Sequence, residues 1–243
     1  MMPDEAIVLA GGFGTRLRAV VSDVPKPLAP VAGRPFLAWL LDTLARGGVS
    51  RVVLATGYLG EMVERAIGAR HAGMEILYAR EEAPLGTGGA LWAAMARTEG
   101  ERVFALNGDT WLGLDLRAMA LAAPGADLVF AVRPVEDRGR YGSVELRDGR
   151  LVGLREKGGA GPGLVNAGTY LLRRSLLERR PIAGAFSFEA EVLERPEGLD
   201  IRAFEVDGRF IDIGTPEDFA RAQTALPEWV KALPSMSAPR APS

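Results

Sequence analysis

The chain has 243 residues, of which 48% are hydrophobic and 25% charged, with a formal net charge of -2. That composition describes a soluble globular protein of one domain or two small lobes, and the near-neutral balance excludes a broad basic field for nucleic acid. Cysteine is absent, which excludes disulfides and thiolate catalysis. The start, Met1-Met2-Pro3-Asp4-Glu5, carries no basic and apolar leader pattern, and no later run is apolar for the roughly 18 residues a membrane span needs. A cytoplasmic protein with no membrane partner is expected.

Ile7 to Ala10 is a short apolar run of the kind that forms a buried strand, and it stops at Gly11, Gly12 and Gly14. Glycines there let successive backbone N–H groups crowd onto an anion. The pattern is neither a P-loop nor the dinucleotide-binding fingerprint, which needs a glycine where Leu17 stands. Alone, it favours a tight turn that needs glycines only for its geometry. Thr15 and Arg16, and then Lys26 held between Pro25 and Pro27, add a hydroxyl and two cations, a set that suits a polyphosphate.

Strand and helix signals then alternate, the rhythm of a parallel sheet with crossover helices. Gly33-Arg34-Pro35 opens a helix with Phe36, Leu37, Leu40, Leu41 and Leu44 at helical spacing, ended by Gly47-Gly48. A strand over Arg51 to Ala55, a helix from about Gly60 to Ile67, a strand near Glu75 to Ala79 and a helix from about Thr87 to Arg97 follow. Strands at Arg102 to Leu106 and Asp127 to Val132 complete the regular part. Beyond it the chain is richer in strands: Ser143 to Leu146 and Leu151 to Leu154 around Asp148-Gly149, then Val165 to Leu172. Phe188 to Leu193 reads as a short helix, and Ile201 to Val206 with Arg209 to Ile213 as a closing hairpin across Asp207-Gly208. Thr215-Pro216-Glu217-Asp218 is a helix start, the helix running towards Ala225. The prolines and serines from 227 onward read as a tail on which Trp229, Val230 and Leu233 dock locally.

Two aspartates stand out. Asp109, in Asn107-Gly108-Asp109, emerges at the carboxyl end of an apolar strand, where open α/β sheets place ligands, although the tripeptide is also an ordinary turn former. Asp212 interrupts the apolar Phe210-Ile211-Asp212-Ile213 and is costly to bury unless paired or bound to a metal. The single histidine, His71, lies apart from these motifs, so no Ser-His-Asp triad or histidine-based zinc site can be assembled.

Leu9-Ala10-Gly11-Gly12-Phe13-Gly14-Thr15-Arg16-Leu17 together with Pro25-Lys26-Pro27-Leu28 resembles the signature of the sugar-1-phosphate nucleotidylyltransferases, which join a sugar 1-phosphate to a nucleoside triphosphate and release pyrophosphate. The resemblance implies an α/β fold, a doubly wound, mixed and mostly parallel Rossmann-like sheet with a small strand-rich sugar-binding lobe. It implies one domain over 1–226, with a nucleotide half to about 112 and a sugar half from about 113, and a tail over 227–243. Nucleotide contacts are implied for Leu9, Ala10, Gly11, Gly12, Gly14, Thr15, Arg16, Gly86, Thr87 and Gly108. Arg16, Lys26, Asp109 and Lys157 are the implied catalytic groups, and Asp109 with Asp212 the implied Mg2+ ligands. Asn107, Tyr141, Gly142, Glu156, Lys157, Asn166 and Gly168 match the sugar-phosphate positions.

Glu81, in Glu81-Glu82-Ala83-Pro84-Leu85-Gly86-Thr87-Gly88-Gly89, falls where thymidylyl relatives carry a glutamine. A carboxylate only accepts hydrogen bonds, which suits the adjacent N1–H and N2–H donors of guanine and not the carbonyl-flanked imino group of uracil or thymine. Glu82 or backbone groups are alternative readers of the base. The overall likeness is to guanylyltransferases acting on D-glycero-D-manno-heptose 1-phosphate, carried by Arg140-Tyr141-Gly142-Ser143 and Phe186-Ser187-Phe188-Glu189 among other stretches. It implies GTP and a sugar 1-phosphate as partners and GDP-heptose as product, and leaves a homodimer open. Mannose-1-phosphate guanylyltransferases and uridylyl- or thymidylyltransferases share much of the pattern, and a non-catalytic nucleotide-sugar binder is the alternative of a different class.

Overall fold

The computed structural model describes residues 2–12, 21, 23–139, 143–155 and 160–233. Within them β1 (Glu5–Leu9) is followed by a 3-10 turn (Lys26–Leu28), β2 (Pro30–Val31), β3 (Arg34–Pro35), α1 (Phe36–Arg46), β4 (Arg51–Thr56) and α2 (Gly60–Ile67). Next come β5 (Arg70–His71), β6 (Met74–Arg80), α3 (Gly86–Met95), β7 (Arg102–Asn107), β8 (Thr110–Leu112) and α4 (Leu116–Ala122). The second half adds β9 (Leu128–Val135), β10 (Ser143–Arg147), β11 (Arg150–Arg155), β12 (Gly163–Arg173), α5 (Leu176–Arg179) and a π turn (Glu189–Leu193). It closes with β13 (Ile201–Glu205), β14 (Phe210–Asp212) and α6 (Pro216–Lys231).

One sheet of ten strands takes the order β10-β11-β13-β9-β12-β7-β1-β4-β6-β5. Parallel pairing joins β7, β1, β4 and β6, and also β13 with β9, so the parallel character belongs chiefly to the first half of the chain. Side chains alternate across a strand, and β1 divides its residues accordingly. Ala6 and Val8 face a core shared with α1, α2, α4 and α6, whereas Ile7 faces a second core containing Leu91 and Ala94 of α3, Phe188 and, from the π turn, Val192. Helices on both faces leave the carboxyl ends of β1, β4, β6 and β7 as the open edge. Among the described residues no helix is long and apolar enough to cross a membrane.

The structure differs from the expectations in four places. Arg34 and Pro35 do not open a helix: Ala32 and Gly33 have φ of 49° and 78° and turn the chain so that β3 pairs with β2, and α1 begins at Phe36. β8 and α4 were not anticipated from the sequence; α4 is capped by Asp115, whose carboxylate accepts from the N–H groups of Arg117 and Ala118. Residues 201–213 do not form a hairpin, because β13 lies parallel to β9 inside the large sheet while β14 pairs with β8 in a separate two-stranded sheet. Asp207-Gly208 serves another purpose: a Cβ at Gly208 would overlap the carbonyl oxygen of Gly113, so this glycine allows two chain segments to pass closely.

The fourth difference concerns the end of the last helix. α6 continues through Pro227 to Lys231, past the end expected near Ala225. The proline forfeits one helical hydrogen bond, and packing offsets the loss. Leu226 and Val230 are buried, Trp229 lies 5.7 Å from Trp111 between ring centroids, and Arg46 Nη1 donates to the Val230 carbonyl at 2.9 Å. Residues 234–243 lie outside the described residues.

Trp111, on β8, is 1% exposed and donates its indole N–H to Thr43 Oγ1 at 2.8 Å. Truncation leaves a large cavity beneath α1 and α6, so Trp111→Ala is expected to lower unfolding free energy by about 3–5 kcal/mol in urea denaturation. A loss below about 1 kcal/mol would contradict this packing.

Candidate active site

The open edge of the sheet encloses a cavity of about 750 Å³ lined by residues from widely separated segments. Leu9, Gly11 and Gly12 follow β1; Ala55, Gly57 and Tyr58 follow β4; Glu81 to Pro84, Gly86, Thr87 and Ala90 come from the turn after β6 and from α3. Asn107 and Asp109 leave β7, Lys26 and Pro27 come from the 3-10 turn, and Asp212 and Gly214 close the far wall.

Lys26 is the hub of that wall. Its Nζ lies 2.5 Å from Asp109 Oδ2 and 3.5 Å from Asp212 Oδ1, and its side chain is only 13% exposed. The pairing of β8 with β14 sets the two aspartates side by side: Asp212 stands opposite Thr110, and the Ile213 N–H donates to the Asp109 carbonyl at 3.0 Å. Asp212 Oδ1 also accepts from the Gly214 N–H at 2.8 Å. Burial, and then the neighbouring Asp109 charge, push the Asp212 carboxyl above the ordinary carboxylate range, partly opposed by Lys26. The carboxylates therefore face one another across a single positive charge, open to the same space as Gly11 and Gly12.

At the other end, Glu81 Oε2 accepts the Leu85 N–H at 2.9 Å. Its Oε1 lies against two glycines. A Cβ on Gly11 would come within 2.8 Å of that oxygen and 3.1 Å of the Gly57 nitrogen, so a side chain at position 11 and the carboxylate cannot both keep their places. Burial pushes the Glu81 carboxyl above its usual value, with the Leu85 hydrogen bond opposing. Across the turn, Thr87 Oγ1 donates to Glu189 Oε2 at 2.7 Å and accepts from the Phe188 N–H at 2.9 Å, tying α3 to the second half of the chain.

Of the residues singled out in the sequence, Leu9, Gly11, Gly12, Lys26, Glu81, Gly86, Thr87, Asn107, Asp109 and Asp212 line this cavity. Ala10 and Gly108 do not. Ala10 is 2% exposed with its N–H on the Ala55 carbonyl, and the Gly108 N–H donates to the Leu9 carbonyl, which a Cβ at 108 would crowd. Asn166 and Gly168 lie one step behind: the Asn166 amide donates to the Tyr170 hydroxyl at 2.7 Å, and Gly168, at φ 69°, abuts the Asn107 amide. Gly14, Thr15, Arg16, Tyr141, Gly142, Glu156 and Lys157 lie outside the described residues. Gly57 and Tyr58 were missed, although a Gly-Tyr step directly after an apolar strand carries the signal that singled out Gly108-Asp109.

The sequence profile of the family described as nucleotidyl transferase matches residues 5–228. The chain belongs to the nucleotidyl transferase family. Among its relatives, the D-glycero-alpha-D-manno-heptose 1-phosphate guanylyltransferase of Aneurinibacillus thermoaerophilus is 42% identical over 230 residues, covering 93% of this chain and 100% of that protein. The Campylobacter jejuni protein of the same name is 37% identical over 216 residues, covering 88% and 96%. Among solved structures, HddC of Yersinia pseudotuberculosis in complex with GMP-PN superposes with a TM-score of 0.81 at 35% identity, covering 90% of this chain and 97% of that one.

In this nucleotidyl transferase the raised pKa of Glu81 has a measurable sign. A carboxyl whose folded-state pKa exceeds its unfolded value stabilises the fold fully below the unfolded pKa and loses that contribution as pH rises through the folded pKa. Glu81→Gln keeps an acceptor for Leu85 and removes the charge. Thermal melting of the variant is expected above that of the parent near pH 8, with the difference vanishing towards about pH 4; the reverse trend would contradict the burial of this carboxylate.

Proposed function

We propose that the chain transfers GMP from GTP to D-glycero-D-manno-heptose 1-phosphate, releasing pyrophosphate and forming GDP-heptose. The observation that carries the reading is the convergence of Lys26, Asp109 and Asp212 in one cavity with the glycines after β1 and the carboxylate of Glu81. The relatives at 42% and 37% identity are heptose 1-phosphate guanylyltransferases by name, and the HddC structure carries a guanine nucleotide analogue, which supports the choice of base and sugar. Glu81 reads guanine through N1–H and N2–H, since it is the acceptor-only group at that end of the cavity whose position a backbone hydrogen bond fixes. A cytoplasmic setting, where GTP is made, goes with this reading.

The donor set of the far wall fits Mg2+. Two carboxylates are already arranged about one positive charge, and among the described residues no third His, Cys, Asp or Glu joins a cluster with them. Mg2+ takes one or two protein carboxylates and completes its shell with waters and substrate phosphates. Asp109 and Asp212 would hold the ion, which when bound draws negative charge from the triphosphate.

In the reaction a phosphate oxygen of the sugar phosphate attacks the α-phosphorus of GTP; the new P–O bond forms as the bond to the bridging oxygen of pyrophosphate breaks, and the electron pair leaves with pyrophosphate. No general base is required, because a phosphate monoester with a second pKa of about 6 is mostly dianionic at neutral pH. The work of the protein is positioning and charge stabilisation. The glycines after β1 admit the triphosphate close to the backbone. Lys26, with Arg16 and Lys157, neutralises phosphate oxygens. Asn107, backed by Gly168 and Asn166, orients the sugar phosphate.

Pyrophosphate release from four nucleoside triphosphates with several sugar 1-phosphates tests the assignment. GTP with the heptose 1-phosphate is expected to turn over fastest, and Asp109→Asn or Asp212→Asn to lower turnover by on the order of 10²–10³ without unfolding. Turnover with UTP and not GTP would overturn the reading of Glu81. Normal rates in either aspartate variant would overturn the metal assignment.

A further inference from the structure

We propose that Lys26 is the resident counter-ion of the Asp109–Asp212 pair and yields that place to the divalent cation when nucleotide binds. The free chain then resists metal, and metal and nucleotide bind as a linked pair. The inference rests on the cation site described under the proposed function and adds a competitor internal to the chain.

Four features carry it. The Lys26 ammonium is in reach of both carboxylates at once, 2.5 Å from one and 3.5 Å from the other, so it lies where a cation shared by the pair would lie. Two partly buried carboxylates this close repel one another, and among the described residues Lys26 is the only cation bridging them. The surroundings are also shaped around the ammonium: a Cβ at Gly214 would stand 3.2 Å from Lys26 Nζ and 2.9 Å from Asp212 Oδ1, so this glycine leaves room beside both groups.

Finally, the backbone of Lys26 is held in place by its neighbours. Pro25 precedes it with φ -62° and ψ 147°, the 3-10 turn holds it, and Pro27 and Leu28 beyond it are buried. Any movement of the charge is therefore confined to the flexible four-carbon stem of the lysine. A divalent ion neutralises the two carboxylates by itself and makes the ammonium surplus there. The incoming triphosphate supplies oxygens that accept the released N–H donors, so the exchange conserves ion pairing on both sides. Each ligand then favours the other, as reciprocal linkage requires.

Mn2+ binding to the nucleotide-free chain, followed by calorimetry or by the paramagnetic signal of free Mn2+, tests this. Lys26→Gln is expected to bind Mn2+ at least about tenfold more tightly than the parent, because a unit charge in contact with the ligands has gone. Lys26→Arg, which keeps the charge, is expected to stay within about threefold of the parent. Without metal, Lys26→Gln should melt below the parent, and Mn2+ should raise its melting temperature more than the parent's. Equal or weaker Mn2+ binding by folded Lys26→Gln overturns the proposal.

A measurement on the unsubstituted chain stands independently of variant folding. The chain has three lysines, Lys26, Lys157 and Lys231, so their ε-carbon signals are separable by NMR after lysine labelling. The Lys26 signal is expected to shift when Mg2+ and a non-hydrolysable GTP analogue are added together; an unmoved signal at saturation overturns the exchange. Failure of the underlying site would look different: Asp212→Asn would then bind Mn2+ with the analogue as tightly as the parent does.

Discussion

Two partly buried carboxylates set side by side are stabilised by a shared cation, and in this chain Lys26 touches Asp109 and Asp212 together. Sequence separations of 83 and 186 residues close on this point. Much of the architecture can be understood as support for it. The Pro25-Lys26-Pro27 turn fixes where the lysine starts, β7 delivers Asp109 at its carboxyl end, and the small β8–β14 sheet sets Asp212 beside it. Trp111, between those two strands' register and the α1–α6 layer, anchors that small sheet to the core.

The second constraint is close approach. Gly11 and Gly57 leave space for the Glu81 carboxylate, Gly108 lets the chain after β7 pass over Leu9, and Gly86 and Gly88 press α3 against Phe186. These contacts bring the carboxyl ends of parallel strands and the first turn of α3 to one surface, as expected of open α/β sheets. The Thr87–Glu189 hydrogen bond then couples the start of α3 to the second half of the molecule. The ion-paired Lys26, Asp109 and Asp212 stand at one end of the cavity and the Glu81 carboxylate, held by the Leu85 N–H, at the other.

The parallel half of the fold was legible because its strands are apolar runs ended by glycine or by polar turns, and its helices carry the 3.6-residue period. The Asp148-Gly149 hairpin was legible for the same local reason: both residues take positive φ, at 53° and 72°. What the sequence hid were non-local choices. Asp207-Gly208 has hairpin chemistry, yet β13 finds a parallel partner in β9 and leaves β14 to pair with β8. Pro227 suggested a helix end, yet Phe219, Ala222, Leu226 and Val230 keep one buried stripe through it. In the site, the aspartates could be picked out because one follows an apolar strand and the other breaks an apolar run. The lysine's partners could not, since local pattern marks Lys26 as a phosphate ligand and says nothing of which carboxylates it meets without phosphate.

The most direct test of the central interaction is a double-mutant cycle in metal-free buffer, comparing urea unfolding of the parent, Lys26→Met, Asp109→Asn and the combined variant. A coupling free energy of about 1–3 kcal/mol is expected if the ammonium and carboxylate meet in the folded chain. Additivity of the two substitutions within about 0.5 kcal/mol would contradict the account.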